Sequence, residues 1–390
     1  MRRWMRGRVI GVAVAVVMSG VAFGSTGGPT GADHADCAQR YVASGDGVVW
    51  GKDVDSPGDS GKDTKRYSNQ LLKEHLENAS TPAPGPWCEY NTSKNPTDTD
   101  TFVNDNVFEN LSQQGAGWER DPLLITLTLG RQNNTIVDHV DKCFKQVKDH
   151  DFLDANACAL AVLSVPSHWE KLGKDLAAIL NTYRIQQTGA PNLIVAVTGY
   201  YNPYPSATSV ATKIPGFCAK LIDTIPTCIA RWVLLPPALI TLDQVVQKLN
   251  KTIEAVVEQF NEGSQQRFVF VNPYEKFKDH CMEMRVTIKT KVYHPPPVND
   301  VHDHNAEDTN FGCDQTWVAS DGTDGTKSPF LYLTPAVTGV LIHAEQTTKK
   351  MGINPNEKGH DCIADLIWEA VKHKLDVPET VPDPTGTCTG

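Results

Sequence analysis

The sequence predicts an α/β fold of three layers: a parallel five-stranded sheet covered by helices on both faces. Two observations carry this prediction. Five short, largely apolar runs recur along the chain, and segments between them carry apolar residues at helical spacing. Runs that stay apolar instead of alternating belong to sheets buried on both sides. Strand–helix alternation builds such sheets in parallel.

The first run is residues 41–44 (YVAS), which leads into a Gly-rich turn. The second is 87–91 (WCEYN), and the third, 123–129 (LLITLTL), is β-rich and ends at Gly130. The fourth is 193–198 (LIVAVT) and the fifth 267–271 (RFVFV). Helical spacing is found in residues 67–76, 169–185 and 242–260, the last being the clearest amphipathic pattern. Residues 360–372 (HDCIADLIWEAVK) read as a closing helix. No linker or internal repeat interrupts this alternation. One domain is therefore expected over 37–376, flanked by a Gly/Thr/Pro-rich flexible segment at 25–36 and a tail at 377–390.

Residues 1–24 combine a basic start (MRRWMRGR), an apolar stretch and small residues at its end, the pattern of a cleaved secretory signal. The apolar stretch is too short and glycine-rich to suit a membrane anchor, and no later segment suits an integral membrane span. Loss of Arg2, Arg3, Arg6 and Arg8 with the signal takes the formal charge from −10 to −14. So acidic a chain has no electrostatic reason to bind nucleic acid or an anionic membrane surface. All ten cysteines follow the signal, and an even count in a secreted chain predicts disulfides. Cys143–Cys158 and Cys218–Cys228 are the short bridges that suggest themselves. Sequons stand at Asn78, Asn91, Asn110, Asn133 and Asn250. The expected location is extracellular.

In an open parallel sheet the working site lies beyond the carboxyl ends of the strands. The segments to inspect are therefore 44–51 (SGDGVVWG), 91–97 (NTSKNPT), 130–135 (GRQNNT) and 199–205 (GYYNPYP), with 351–360 (MGINPNEKGH) before the closing helix. Their order and spacing resemble the SGNH, or GDSL, hydrolase superfamily, over most of the chain after the signal. The resemblance implies a flavodoxin-like three-layer fold and an ancestry among carboxylic-ester hydrolases. It also implies a nucleophilic serine in a Gly-Asp-Ser turn after the first strand, a glycine and an asparagine donating to the oxyanion, and an Asp-x-x-His pair before the last helix.

Carried over position by position, the resemblance puts the serine at Gly47, which has no side chain to attack a carbonyl. The oxyanion glycine falls on or next to Pro96, which has no backbone N–H to donate. The oxyanion asparagine falls on Asn133 and is kept. The Asp-x-x-His pair falls on Met351 and Asn354, neither of which is a base or orients one at neutral pH. The Asn-Pro-Asn-x-x-Gly-His remainder, from Asn354 to His360, is kept.

Other residues could rebuild a site. Asp46 lies in the turn itself, where the resemblance implies a structural part. Ser44 points to the other face of its strand. Ser93 and Thr92 sit near the same rim without a base. His360 reads as a structural hydrogen-bonding histidine. His294, His302 and His304, with Asp300 and Asp303, form the densest ligand-like cluster, but the prolines and aspartates of 294–304 read first as a polar surface loop. No metal and no cofactor is assigned. Three functions follow. The first is a secreted SGNH-fold protein without serine-esterase activity that binds a small molecule, lipid, glycan or protein in the inherited cleft. The alternatives are an active carboxylic-ester hydrolase using displaced groups, and a structural or cell-surface interaction protein.

Overall fold

The computed structural model describes residues 39–45, 47–50, 65–79, 87–91, 123–129, 137–148, 151–186, 192–219, 232–262, 267–282, 284–293, 301–320, 327–333, 341–348, 351–375 and 388. Five strands, β1 (Gln39–Gly45), β2 (Trp87–Asn91), β3 (Leu124–Thr128), β4 (Ile194–Thr198) and β5 (Phe268–Val271), form one sheet in the order β2-β1-β3-β4-β5. Every pairing is parallel. These are the five apolar runs of the sequence. β3 and β4 are buried at every position, and β1 at all but its first residue, as strands covered on both faces must be.

The helices are α1 (Gly47–Trp50), α2 (Tyr67–Gln70), α3 (Glu77–Ala79), α4 (Val137–Lys148), α5 (Phe152–Ser164), α6 (Pro166–Gln186), α7 (Ala207–Ala219), α8 (Leu235–Asn261), α9 (Tyr274–Phe277) and α10 (Glu357–Val371). A π-helical turn, Leu71–Leu76, joins α2 to α3. The two faces of the sheet can be told apart inside β1. Tyr41 donates to or accepts from Thr126 Oγ1 at 2.8 Å, and the Tyr67 hydroxyl of α2 reaches Thr126 and Thr128 of β3 at 3.5 and 3.2 Å. Ser44, an odd number of residues on, instead faces Tyr183 of α6. α2 and α10 pack together, with α10 also on β4 and β5. The other helical layer is built by α8 against α5, α6 and α7.

α8 begins earlier than the sequence pattern suggested. Pro236 and Pro237 occupy its first turn, where their missing N–H groups cost nothing, and Leu235, Ala238, Leu239 and Leu242 extend the buried stripe. The Cys143–Cys158 bridge ties α4 to α5, Cys281–Cys313 and Cys362–Cys388 are also closed, and all eight described cysteines are bonded. Cys228, the partner expected for Cys218, lies outside the described residues. Among the described residues no helix is long and apolar enough to cross a membrane.

Between β5 and α10 the chain adds two antiparallel sheets that the apolar runs did not announce. β6 (Arg285–Tyr293), β7 (Val301–Asn310), β9 (Lys327–Leu333) and β10 (Leu341–Thr348) form one in the order β7-β6-β10-β9. β8 (Val318–Ser320) and β11 (Met351–Pro355) form the other. The expectation of a polar surface loop over 294–304 is corrected for its last residues: 301–304 open β7, with His302 opposite Val292 and His304 opposite Thr290. The sequence VHDHNAEDTN has little β propensity of its own, and its hydrogen-bonded partner β6 supplies the ladder.

Candidate functional site

The rim above the carboxyl end of β1 begins at Gly45, whose φ of 142° lies in the left-handed half of backbone space. A Cβ there would fall onto the Thr128 carbonyl oxygen of β3 and come within 2.7 Å of Val49 Cγ2, so only glycine lets β1 leave the sheet this closely. Gly47 is the first residue of α1, which touches β3 and β11. β11 carries Met351 and, 1% exposed, Asn354. The structure thus brings together the elements that hold three of the positions singled out in the sequence. Gly47 offers no nucleophile, and the neutral Asn354 amide offers no base.

Immediately beyond β11, Asn356, Gly359 and His360 of the Asn-Pro-Asn-x-x-Gly-His segment are accounted for by architecture. Asn356 caps α10: its Oδ1 accepts from the Gly359 N–H at 3.0 Å, and its Nδ2 donates to the Thr316 carbonyl at 2.8 Å. Its own backbone N–H donates to the Trp317 carbonyl at 2.8 Å. A Cβ on Gly359 would collide with that same Trp317 carbonyl oxygen, so the helix start is pressed against the β8 end of the chain. His360 is wholly buried, and its Nδ1 accepts the Tyr67 backbone N–H at 3.2 Å. Burial first, and then the positive charge of Arg66, lower its pKa from 6.5 to about 3. With Nδ1 an acceptor, the neutral ring carries its proton on Nε2, which is buried with no acceptor among the described residues.

Asp46, Ser93, Thr92, Pro96, Asn133 and His294 lie outside the described residues. Ser44 is fully buried beneath the rim, on the face toward Tyr183. His302 and His304 stand in β7 as given above, and among the described residues no group of three or more His, Cys, Asp or Glu gathers as a metal cluster would.

Two groups on α10 escaped the sequence reading. His75, 1% exposed in the π-helical turn, meets Asp365 through Nε2 and Oδ1 at 3.0 Å and stacks on Trp368 with ring centroids 5.4 Å apart. The two residues are 290 positions apart, and no local spacing could have announced the pair. Asp361, one turn before Asp365, has its pKa raised from 3.8 to about 7. Partial burial is the main cause, and the neighbouring charges of Glu74, Glu357 and Asp365 add to it, while a hydrogen bond with Gln70 opposes them. His280, stacked on Trp317 at 3.6 Å, bonds the Gln315 carbonyl. Among the described residues, none of His75, His280 and His360 is paired with a hydroxyl.

The strand order and the two helical layers define the class: a three-layer α/β fold built on a five-stranded parallel sheet. No protein-family model and no curated relative matches the sequence. Solved structures similar to it include the extracellular lipase from Streptomyces rimosus, at 17% identity and a TM-score of 0.38, covering 62% of this chain and 83% of that one. The lipase Lip_vut3 from a goat-rumen metagenome is similar at 11% identity and a TM-score of 0.38, with the same coverage. A GDSL-like lipase from Parabacteroides merdae is similar at 13% identity and a TM-score of 0.32, covering 62% of this chain and 80% of that one.

Proposed function

We propose that this chain is a secreted SGNH-type protein that binds a ligand at the rim of its sheet and does not hydrolyse esters there. The observation that carries the reading is the junction of α1 with β11. At the point where this fold type would place a nucleophile against its base, the chain presents Gly47, Met351 and Asn354. Ester hydrolysis by this route needs an attacking oxygen, a base about 3 Å from it, and donors for the oxyanion. The first two are missing at those positions. Pro96 in place of the oxyanion glycine would damage the third, leaving Asn133 as the remaining donor. Asn356, Gly359 and His360 of the kept segment support the same reading, because capping, close approach and burial explain them without catalysis. Signal-like residues 1–24 and the closed disulfides support secretion. The ligand held at the rim is a lipid, a glycan or another protein.

The test compares the unaltered protein with a Gly47→Ser, Met351→Asp, Asn354→His triple variant on short-chain aryl esters. Turnover that is absent from the first and appears in the second supports both the placement of the site and its loss. Rapid, heat-labile turnover by the unaltered protein overturns the reading.

A further inference from the structure

Away from the α1–β11 junction, the carboxyl ends of β4 and β5 and the side of α8 enclose a cavity of about 600 Å³. None of its lining residues belongs to α1, β11 or α10. Its centre is a fixed polar network. Asp243 of α8 accepts from Asn202 Nδ2 at 2.7 Å, from the Tyr274 hydroxyl at 2.6 Å and from Gln247 Nε2 at 2.7 Å. Gln247 Nε2 also reaches Tyr274 Oη at 3.0 Å. Asn202 is anchored in turn by accepting the Tyr204 N–H at 3.0 Å, and Tyr274 N–H is held by Asn272 Oδ1 at 3.1 Å. Two amides, a carboxylate and a phenol are therefore held in set positions before any ligand arrives, which lowers the ordering cost of binding.

The lining also says what kind of molecule would fit. Three carboxylates, Asp243, Glu254 and Glu275, stand against two ammonium groups, Lys251 and Lys278, so the charges nearly cancel and neither an anion nor a cation is favoured. Among the described residues, the lining contains no imidazole and no thiol. An apolar occupant would strip water from the amides without replacing their hydrogen bonds. Side-chain amides and carboxylates present donor and acceptor atoms a short step apart, matching the donor and acceptor pairs of adjacent hydroxyls.

We propose that this cavity is a binding site for a neutral polyhydroxylated molecule, a short oligosaccharide. The site is independent of the α1–β11 junction and stands whether or not that junction proves catalytic. Gln244 lines it and is exposed, and among the described residues its side chain makes no hydrogen bond.

The experiment titrates maltotriose, cellotriose, xylotriose and triacetylchitotriose separately into the secreted protein by calorimetry, with Gln244→Ala and Asp243→Asn variants alongside. Saturable binding of at least one trisaccharide is expected, weakened at least about tenfold in each variant. Gln244→Ala should leave the unfolding midpoint unchanged, which keeps the test decisive if Asp243→Asn folds poorly. Failure of all four trisaccharides to bind overturns the proposal, as does binding that Gln244→Ala leaves unaltered.

Discussion

The backbone N–H of Tyr67 donates to Nδ1 of His360 across 3.2 Å, joining the start of α2 to the first turn of α10 inside the core. This bond uses the ring's one acceptor nitrogen, and burial keeps the imidazole neutral. His360 is thereby a fixed acceptor for a backbone group that helix geometry leaves without an internal partner.

A pH signature follows. The folded pKa of His360, about 3, lies below its unfolded value of 6.5, so the unfolded chain takes up a proton that the folded one refuses. The stability this residue contributes is complete above pH 6.5 and is lost as pH falls from there toward 3. The slope is about 1.4 kcal/mol for each pH unit within that window. His360→Asn, which keeps an acceptor and cannot titrate, should flatten the curve over that range. Denaturant midpoints measured from pH 7 to pH 3 check this, and an equally steep curve in the variant would contradict it.

Asp361 should behave in the opposite sense. Its folded pKa, about 7, lies above the unfolded 3.8, so its contribution is present at low pH and is lost as pH rises through 7. Asp361→Asn is expected to raise the melting temperature at pH 8 and to leave it nearly unchanged at pH 4. The partial exposure of the carboxyl means that solvent screening reduces the gain.

Gly45 should tolerate no side chain. Gly45→Ala places a methyl group on the Thr128 carbonyl and holds alanine at a φ that L-residues avoid. A loss of at least about 2 kcal/mol is expected from thermal or denaturant unfolding. An unchanged midpoint would mean that β1 leaves the sheet differently.

Of the sequons, Asn250 is closed to modification in the folded protein. It is 4% exposed, and its amide holds both backbone groups of Tyr200, accepting from the N–H and donating to the carbonyl at 2.7 Å each. Peptide mapping after expression in a glycosylating host should find Asn250 unoccupied. A glycan on Asn250 in folded, secreted material would contradict this.

The five central strands were legible because burial on both faces leaves continuous apolar runs, as in LLITLTL and LIVAVT, which need no partner to be recognised. The helix 242–260 was legible for a similar reason, although its first two turns were hidden by a Pro-Pro pair that reads as a break and acts as a start. The second sheet was not legible. β6 and β7 carry lysines, aspartates and histidines at positions whose strand character comes from pairing with each other. The positions Gly47, Met351 and Asn354 were singled out through spacing and a family resemblance, while the His75–Asp365 pair and the network around Asp243 join residues far apart in sequence and exist only once the chain has folded.

The central claim is that the rim above β1 holds no serine nucleophile. Incubation of the secreted protein with excess fluorophosphonate, followed by intact mass measurement, tests this most directly, because the reagent phosphonylates a serine activated by a base without regard to the natural substrate. The account predicts an unmodified mass for the native protein and a single adduct on residue 47 of the Gly47→Ser, Met351→Asp, Asn354→His variant. A stoichiometric, denaturation-sensitive adduct on any serine of the native protein would contradict it.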